Sequence, residues 1–157
     1  MPSIIGTDAL VRVTIEFASS NNNFSIFGGI HKGFSPPSNQ AGQKPEVSIN
    51  YELGSRFGVG KLRGETVFFF NDYSNLLGSD LAATGGTGTL DQFNAGEVDV
   101  NGLELLLNYD FSNQESTIKI PFTLGYTFTN TEFKNSFGSD EDLWGEVTSG
   151  DELPYLS

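Results

Sequence analysis

The stretch Lys44–Leu77, KPEVSINYELGSRFGVGKLRGETVFFFNDYSNLL, decides the fold. In its first half Val47, Ile49, Tyr51, Leu53 and Phe57 share one parity, and Glu46, Ser48, Asn50, Glu52 and Arg56 share the other. Side chains alternate sides along a strand, so this spacing predicts one apolar and one polar face. Gly58–Lys61 reads as a tight turn, and a second strand follows over about Leu62–Tyr73. The stretch is therefore a long antiparallel hairpin, and what remains open is which solvent each face meets.

Working outward, the same alternation recurs. A first strand spans about Asp8–Phe17, with Val11, Val13, Ile15 and Phe17 against Arg12, Thr14 and Glu16. A second spans about Phe24–Phe34, although Phe27 falls on its polar side. A fifth covers about Phe93–Tyr109. Its parity shifts near Asn101-Gly102, where a β-bulge would restore register. A sixth, about Thr117–Phe133, sets Ile118, Ile120, Phe122, Leu124, Tyr126 and Phe128 against Lys119 and a run of Thr. Leu153–Ser157 has the character of a seventh strand beginning. No segment shows a capped helical period, so the chain reads as all-β.

Two regularities set the solvent. These strands reach roughly 10–17 residues, against the usual five or six of soluble sheets. Connections after strands one, three and five are expected to be short, and those after two, four and six to be long. In an up-and-down sheet this sorts tight turns to one end and long loops to the other. That is the plan of a transmembrane β-barrel, with short periplasmic turns and an apolar outside around a polar lumen. A closed antiparallel sheet also pairs every backbone amide, as hydrocarbon requires. Ile49 and Tyr51 then face lipid, Glu52 and Arg56 face water, and Tyr51, Tyr73, Tyr109, Phe111 and Tyr126 suit interfacial belts. The competing reading is a soluble β-sandwich or small complete barrel with a binding or structural role. It requires a two-layer core burying Ile49, Leu53, Phe122 and Leu124.

Composition narrows the function. The 157 residues carry 20 acidic and 8 basic side chains, a formal charge of −12. Without Lys/Arg clusters, nucleic acid is not an expected partner. There is no cysteine, hence no disulfide framework or thiolate metal site. No apolar run is long enough for a transmembrane helix. The start MPSIIGTDAL lacks the pattern of a signal peptide, so any export signal is expected outside this chain.

Candidate chemistry is sparse. His31 is the sole histidine, and a zinc site needs several ligands, so it reads as structural or lumen-lining. Asp140, Asp142 and Glu146 in DEDLWGE could offer oxygens to a hard cation, but without EF-hand spacing they read as a solvated acidic loop. Trp144 in that loop serves either as a ligand contact or as a cover for a barrel edge. GGTG (Gly85–Gly88) has the glycines of a phosphate cradle but no following Lys or helix. No Ser/His/Asp grouping or acid/base pair is apparent; no catalysis, metal or cofactor is expected.

FGGIHKGFSPP (Phe27–Pro37), KPEVSINYELGSRF (Lys44–Phe57), FFNDYSNLLG (Phe69–Gly78), EVDVNGLEL (Glu97–Leu105) and GDELPYL (Gly150–Leu156) together resemble the barrel of TonB-dependent outer-membrane receptors of the ferric-siderophore or ferric-citrate type. The resemblance covers nearly everything from Phe24 onward. It implies a 22-stranded barrel around an N-terminal plug, in the bacterial outer membrane, importing iron chelates with energy relayed by TonB. Residues 1–157 then correspond to part of that barrel, about six strands with no plug, forming an open curved sheet if alone. The expected partners are outer-membrane lipid, the remaining barrel and plug, TonB only through the plug region, and an iron-chelate ligand. The resemblance places His31 on a barrel strand near the external end. An anionic chelate would be repelled by the acidic loop around Asp140–Glu146.

Overall fold

The computed structural model describes residues 12–18, 23–36, 44–79, 92–94, 96–112, 118–138 and 146–153. Six strands, β1 (Arg12–Ala18), β2 (Phe24–Ser35), β3 (Glu46–Val59), β4 (Leu62–Ser74), β7 (Val98–Asp110) and β8 (Pro121–Phe133), form one sheet. Their spatial order is their chain order, and every neighbouring pair is antiparallel. The short β5 (Leu77–Ser79) pairs with β6 (Gln92–Asn94) inside the β4–β7 connection. Likewise β9 (Phe137–Gly138) pairs with β10 (Glu146–Val147) beyond β8. There is no helix among the described residues.

The hairpin of β3 and β4 closes through a two-residue turn. Val59 pairs with Leu62, and Gly60 takes φ +58°. A glycine at the first central position supplies the positive φ of a type II′ turn, whose twist matches that of the strands. Register follows from this closure, so Arg56 falls opposite Glu65 and Leu53 opposite Phe68.

The sheet buries almost nothing on its apolar face. Ile49 is 38% exposed, Leu53 58%, Phe122 50% and Leu124 45%. The core that a sandwich requires is therefore missing, and these side chains form one continuous surface with Val13, Ile15, Ile26, Ile30 and Phe128. From Ile49 to Val59 the strand rises about 33 Å, or about 25 Å along the normal at a barrel tilt of about 40°. That height equals the apolar band of an outer-membrane barrel.

At the end where β2, β4 and β8 finish, the polarity of the two faces inverts. Lys32, Asp72, Asp99, Glu132 and Lys134 occupy the formerly apolar face, and Lys134 Nζ sits 3.0 Å from Asp72 and 3.2 Å from Asp99. On the opposite face Val98 and Phe133 are completely buried with Val147, packed by Tyr73, Leu76, Val100, Phe137 and Leu153. The segment Glu146–Leu153 folds back to make this small core. Gly150 N donates to Phe133 O, Phe133 N to Asp151 O, and Leu153 N to Thr131 Oγ1.

Three expectations are corrected. No bulge occurs at Gly102: β7 stays in register with both neighbours throughout. The parity shift is instead the point where apolar side chains change face, with Val98 and Val100 entering the loop-covered core. Tyr73 joins that core instead of an interfacial belt, whereas Tyr109, Phe111 and Phe122 form an aromatic cluster at the opposite end, with Tyr109–Phe111 and Phe111–Phe122 ring centroids 4.6 and 6.3 Å apart. β8 begins at Pro121, not Thr117, so the connection after β7 is 111–120 and longer than a tight turn. There the ladder runs on as Phe111 N to Ile120 O, while Ser112 Oγ accepts from Ile120 N. Of the strand expected over Leu153–Ser157, only Leu153 is among the described residues, next to β8; Pro154–Ser157 lie outside them.

Candidate functional site on the inner face

The polar face is lined in the sequence-derived order, but its side chains interlock in a way that alternation does not foretell. Phe27 breaks the polar pattern of β2 because it sits directly opposite Gly54 of β3, and a Cβ at Gly54 would overlap its ring. The missing side chain lets the ring lie flat on the strand. Two further Phe–Gly pairs repeat the device: Phe69 over Gly102 on the inner face, and Phe57 over Gly64 on the outer. Such aromatic cover restores the packing that a strand glycine forfeits.

Phe27 in turn carries Arg56, whose guanidinium carbon lies 4.1 Å from the ring centroid. From that perch Arg56 ion-pairs with Glu65 of β4 and reaches Glu16 of β1 at 3.6 Å. One cation thus ties together four strands, β1 through β4, supported by a cation–π contact. Arg56 and its partners are about half exposed, so this network is a wet one and each pair is individually weak. Around it lies a concavity of about 270 Å³ on the polar face, bounded by Arg12, Thr14, Glu16, Glu52, Glu65 and Glu104.

His31 lies on this same face, two-thirds of the way along β2 toward the loop-bearing end, with Arg12 and Asn50 opposite it on either side. Its Nε2 is 3.3 Å from Glu52 Oε2. The contact has ion-pair distance without hydrogen-bond alignment, and Nε2 is enclosed. His31 thus lies on the polar face of the sheet. Glu146 is an exposed side chain on β10 beside Gly138, whereas Asp140, Asp142 and Trp144 lie outside the described residues, as does GGTG. Among the described residues no three His, Asp or Glu converge as metal ligands.

Sequence reasoning singled out none of Arg56, Glu16, Glu65 or Phe27 as a cluster. A signal was present for one pair: counting back from the Gly60-Lys61 turn places Arg56 against Glu65. Nothing in the sequence announces the diagonal reach to Glu16.

Known proteins resemble this arrangement. The family described as TonB dependent receptor-like, beta-barrel, matches residues 8–157. Among solved structures, the ferric yersiniabactin uptake receptor FyuA from Yersinia pestis superposes with a TM-score of 0.63 at 21% identity. The match covers 94% of this chain and 21% of that one. The siderophore receptor PirA from Pseudomonas aeruginosa gives 0.56 at 20% identity over 77% of this chain and 26% of that one. This chain thus spans about a fifth to a quarter of the length of these receptors. No curated protein sequence matches it significantly. An exposed apolar face, a charged inner face, strands in simple up-and-down order and a family match over almost the whole chain lead to one assignment: this chain belongs to the TonB-dependent receptor-like β-barrel family.

Proposed function

We propose that residues 1–157 form a section of the barrel wall of an outer-membrane receptor that imports an iron chelate or similar nutrient. The family is one of transport receptors of the bacterial outer membrane, and of the two structural neighbours one is named a ferric yersiniabactin uptake receptor and the other a siderophore receptor. The observation that carries the reading is the inside-out sheet: isoleucines, leucines and phenylalanines stand exposed on one face while Arg56, Glu16, Glu52 and Glu65 occupy the other. In water such a face is a liability; against hydrocarbon it costs nothing. The wall segment contributes lumen lining and outer loops; a plug, the rest of the barrel and TonB, acting through the plug, complete the transport cycle. His31 and the acidic loop with Trp144 are its candidate ligand-facing elements.

These 157 residues hold no cysteine, so in a receptor freed of any cysteine elsewhere, single-cysteine labelling reads each face. In outer membranes containing the receptor, Leu53→Cys is expected to resist a charged maleimide and to react with a lipid-soluble one. Asn50→Cys is expected to react with the charged reagent. Equal reaction of both positions with the charged reagent would refute the membrane assignment.

A further inference from the structure

The outer face is not uniform. On β2 the outward positions run Ile26, Gly28, Ile30, Lys32. Gly28 presents no side chain, while Ile15 of β1 and Leu53 of β3 stand opposite it on either side. The result is a groove of about 380 Å³ floored by Gly28 and walled by Val13, Ile15, Ile26, Ile30, Tyr51 and Leu53. Next beyond Ile30 on the same face comes Lys32, at the level where the apolar band gives way to charge. The other lysine at that level, Lys134, is held by Asp72 and Asp99. Lys32 makes no ion pair with any described residue.

From this juxtaposition we infer that the β1–β3 face holds a phosphate-bearing membrane lipid, one acyl chain in the Gly28 groove and the phosphate at Lys32. The inference rests on the reading of this face as the one that meets lipid. A hydrocarbon groove alone selects nothing in a bilayer, because every lipid tail is equally apolar. The discrimination comes from the cation at its mouth. Lys32 stands about 13 Å along the strand from Gly28, so a headgroup bound there drops its chain directly into the groove. An ammonium at the interface attracts an anionic headgroup strongly enough for about a five-fold preference over a neutral one. Retention is then a matter of shape: the chain replaces a side chain that Gly28 lacks.

Photo-crosslinking tests the site. The full receptor is reconstituted with phosphatidylglycerol or phosphatidylcholine carrying the same diazirine-bearing acyl chain, and labelled peptides are mapped by mass spectrometry. Phosphatidylglycerol is expected to label Ile26–Lys32 and Tyr51–Leu53 about five-fold more than phosphatidylcholine does. Lys32→Gln should abolish that preference with labelling retained. Gly28→Leu should remove labelling from the groove: a Cβ at Gly28 meets Glu52 O at 3.3 Å and Leu53 Cδ1 at 3.8 Å, a fit within small shifts. Even labelling of all outward strands, without headgroup preference, would overturn the lipid site and leave the wall assignment standing. Absence of labelling from the outward positions altogether would overturn both.

Discussion

Replacing Leu53 by arginine tests the orientation of the whole sheet. Leu53 lies at the middle of the outward run of β3, about six residue steps from Val47 and from Val59. Its direct neighbours across the sheet are Gly28 and Phe68, and its diagonal neighbours Ile26, Ile30, Thr66 and Phe70 are all uncharged. An arginine there finds no carboxylate, and four steps separate it from the charged level at Ile49 and six from Val59, about 10 and 15 Å along the normal at a tilt of about 40°. The expected cost is the mid-bilayer value of about 2–4 kcal/mol, roughly a 30- to 700-fold loss in the folding equilibrium. The assay is urea unfolding of the receptor in phospholipid vesicles, with Thr129→Arg as the control. Thr129 faces inward and is exposed, so its replacement should move stability by no more than about 0.5 kcal/mol. If Leu53→Arg costs as little as the control, the exposed apolar face does not meet lipid, and the orientation argued here fails.

Gly54→Val should displace the Phe27 ring and cost about 1–3 kcal/mol by overpacking, with Phe27→Leu recovering part of the loss in a thermal-unfolding series. A double-mutant cycle of Arg56→Gln with Glu65→Gln should give a coupling no larger than about 1 kcal/mol, because both side chains are well exposed; a coupling of zero would mean the pair is ornamental. The hydrogen bond from Lys134 to Asp72, followed by that to Asp99, raises the lysine above its ordinary value of 10.5. A raised cationic group stabilises the fold fully below the unfolded value and loses that contribution as pH climbs through the folded one. Loosening at the outer end should therefore begin only above about pH 10.5. Hydrogen exchange at Phe133 and Gly150 between pH 9 and 11.5, corrected for intrinsic rates and compared with Lys134→Met, checks this; an unchanged pH dependence in the variant would exclude the lysine as its source.

Much of the architecture was legible because strand alternation is a local property. Val47 through Phe57 needed no partner to declare two faces, and Gly60 fixed the turn that sets the β3–β4 register. The family resemblance was legible in the same way, from contiguous stretches such as KPEVSINYELGSRF. His31 could be placed on the inner face by parity alone. The misreadings cluster where parity holds but environment changes. Around Gly102 the pattern looked like a slip in register, and Tyr73 looked interfacial. In both cases the strand had passed beyond the apolar band into a region where a folded-back loop covers the inner face.

What the sequence determined by itself is thus the all-β class, the hairpin turn and the division of each strand into two faces, because these depend on residues a few positions apart. The tertiary structure decided which side chains meet across strands. It laid Phe27 on Gly54, carried Arg56 over that ring to Glu16, buried Val98 and Phe133 beneath the Glu146–Leu153 segment, and left Lys32 with no ion-pair partner among the described residues, above a groove. Those contacts join residues dozens of positions apart, and their geometry is fixed by diagonal reach and by registers other than that of the β3–β4 hairpin, which no single stretch of the chain writes.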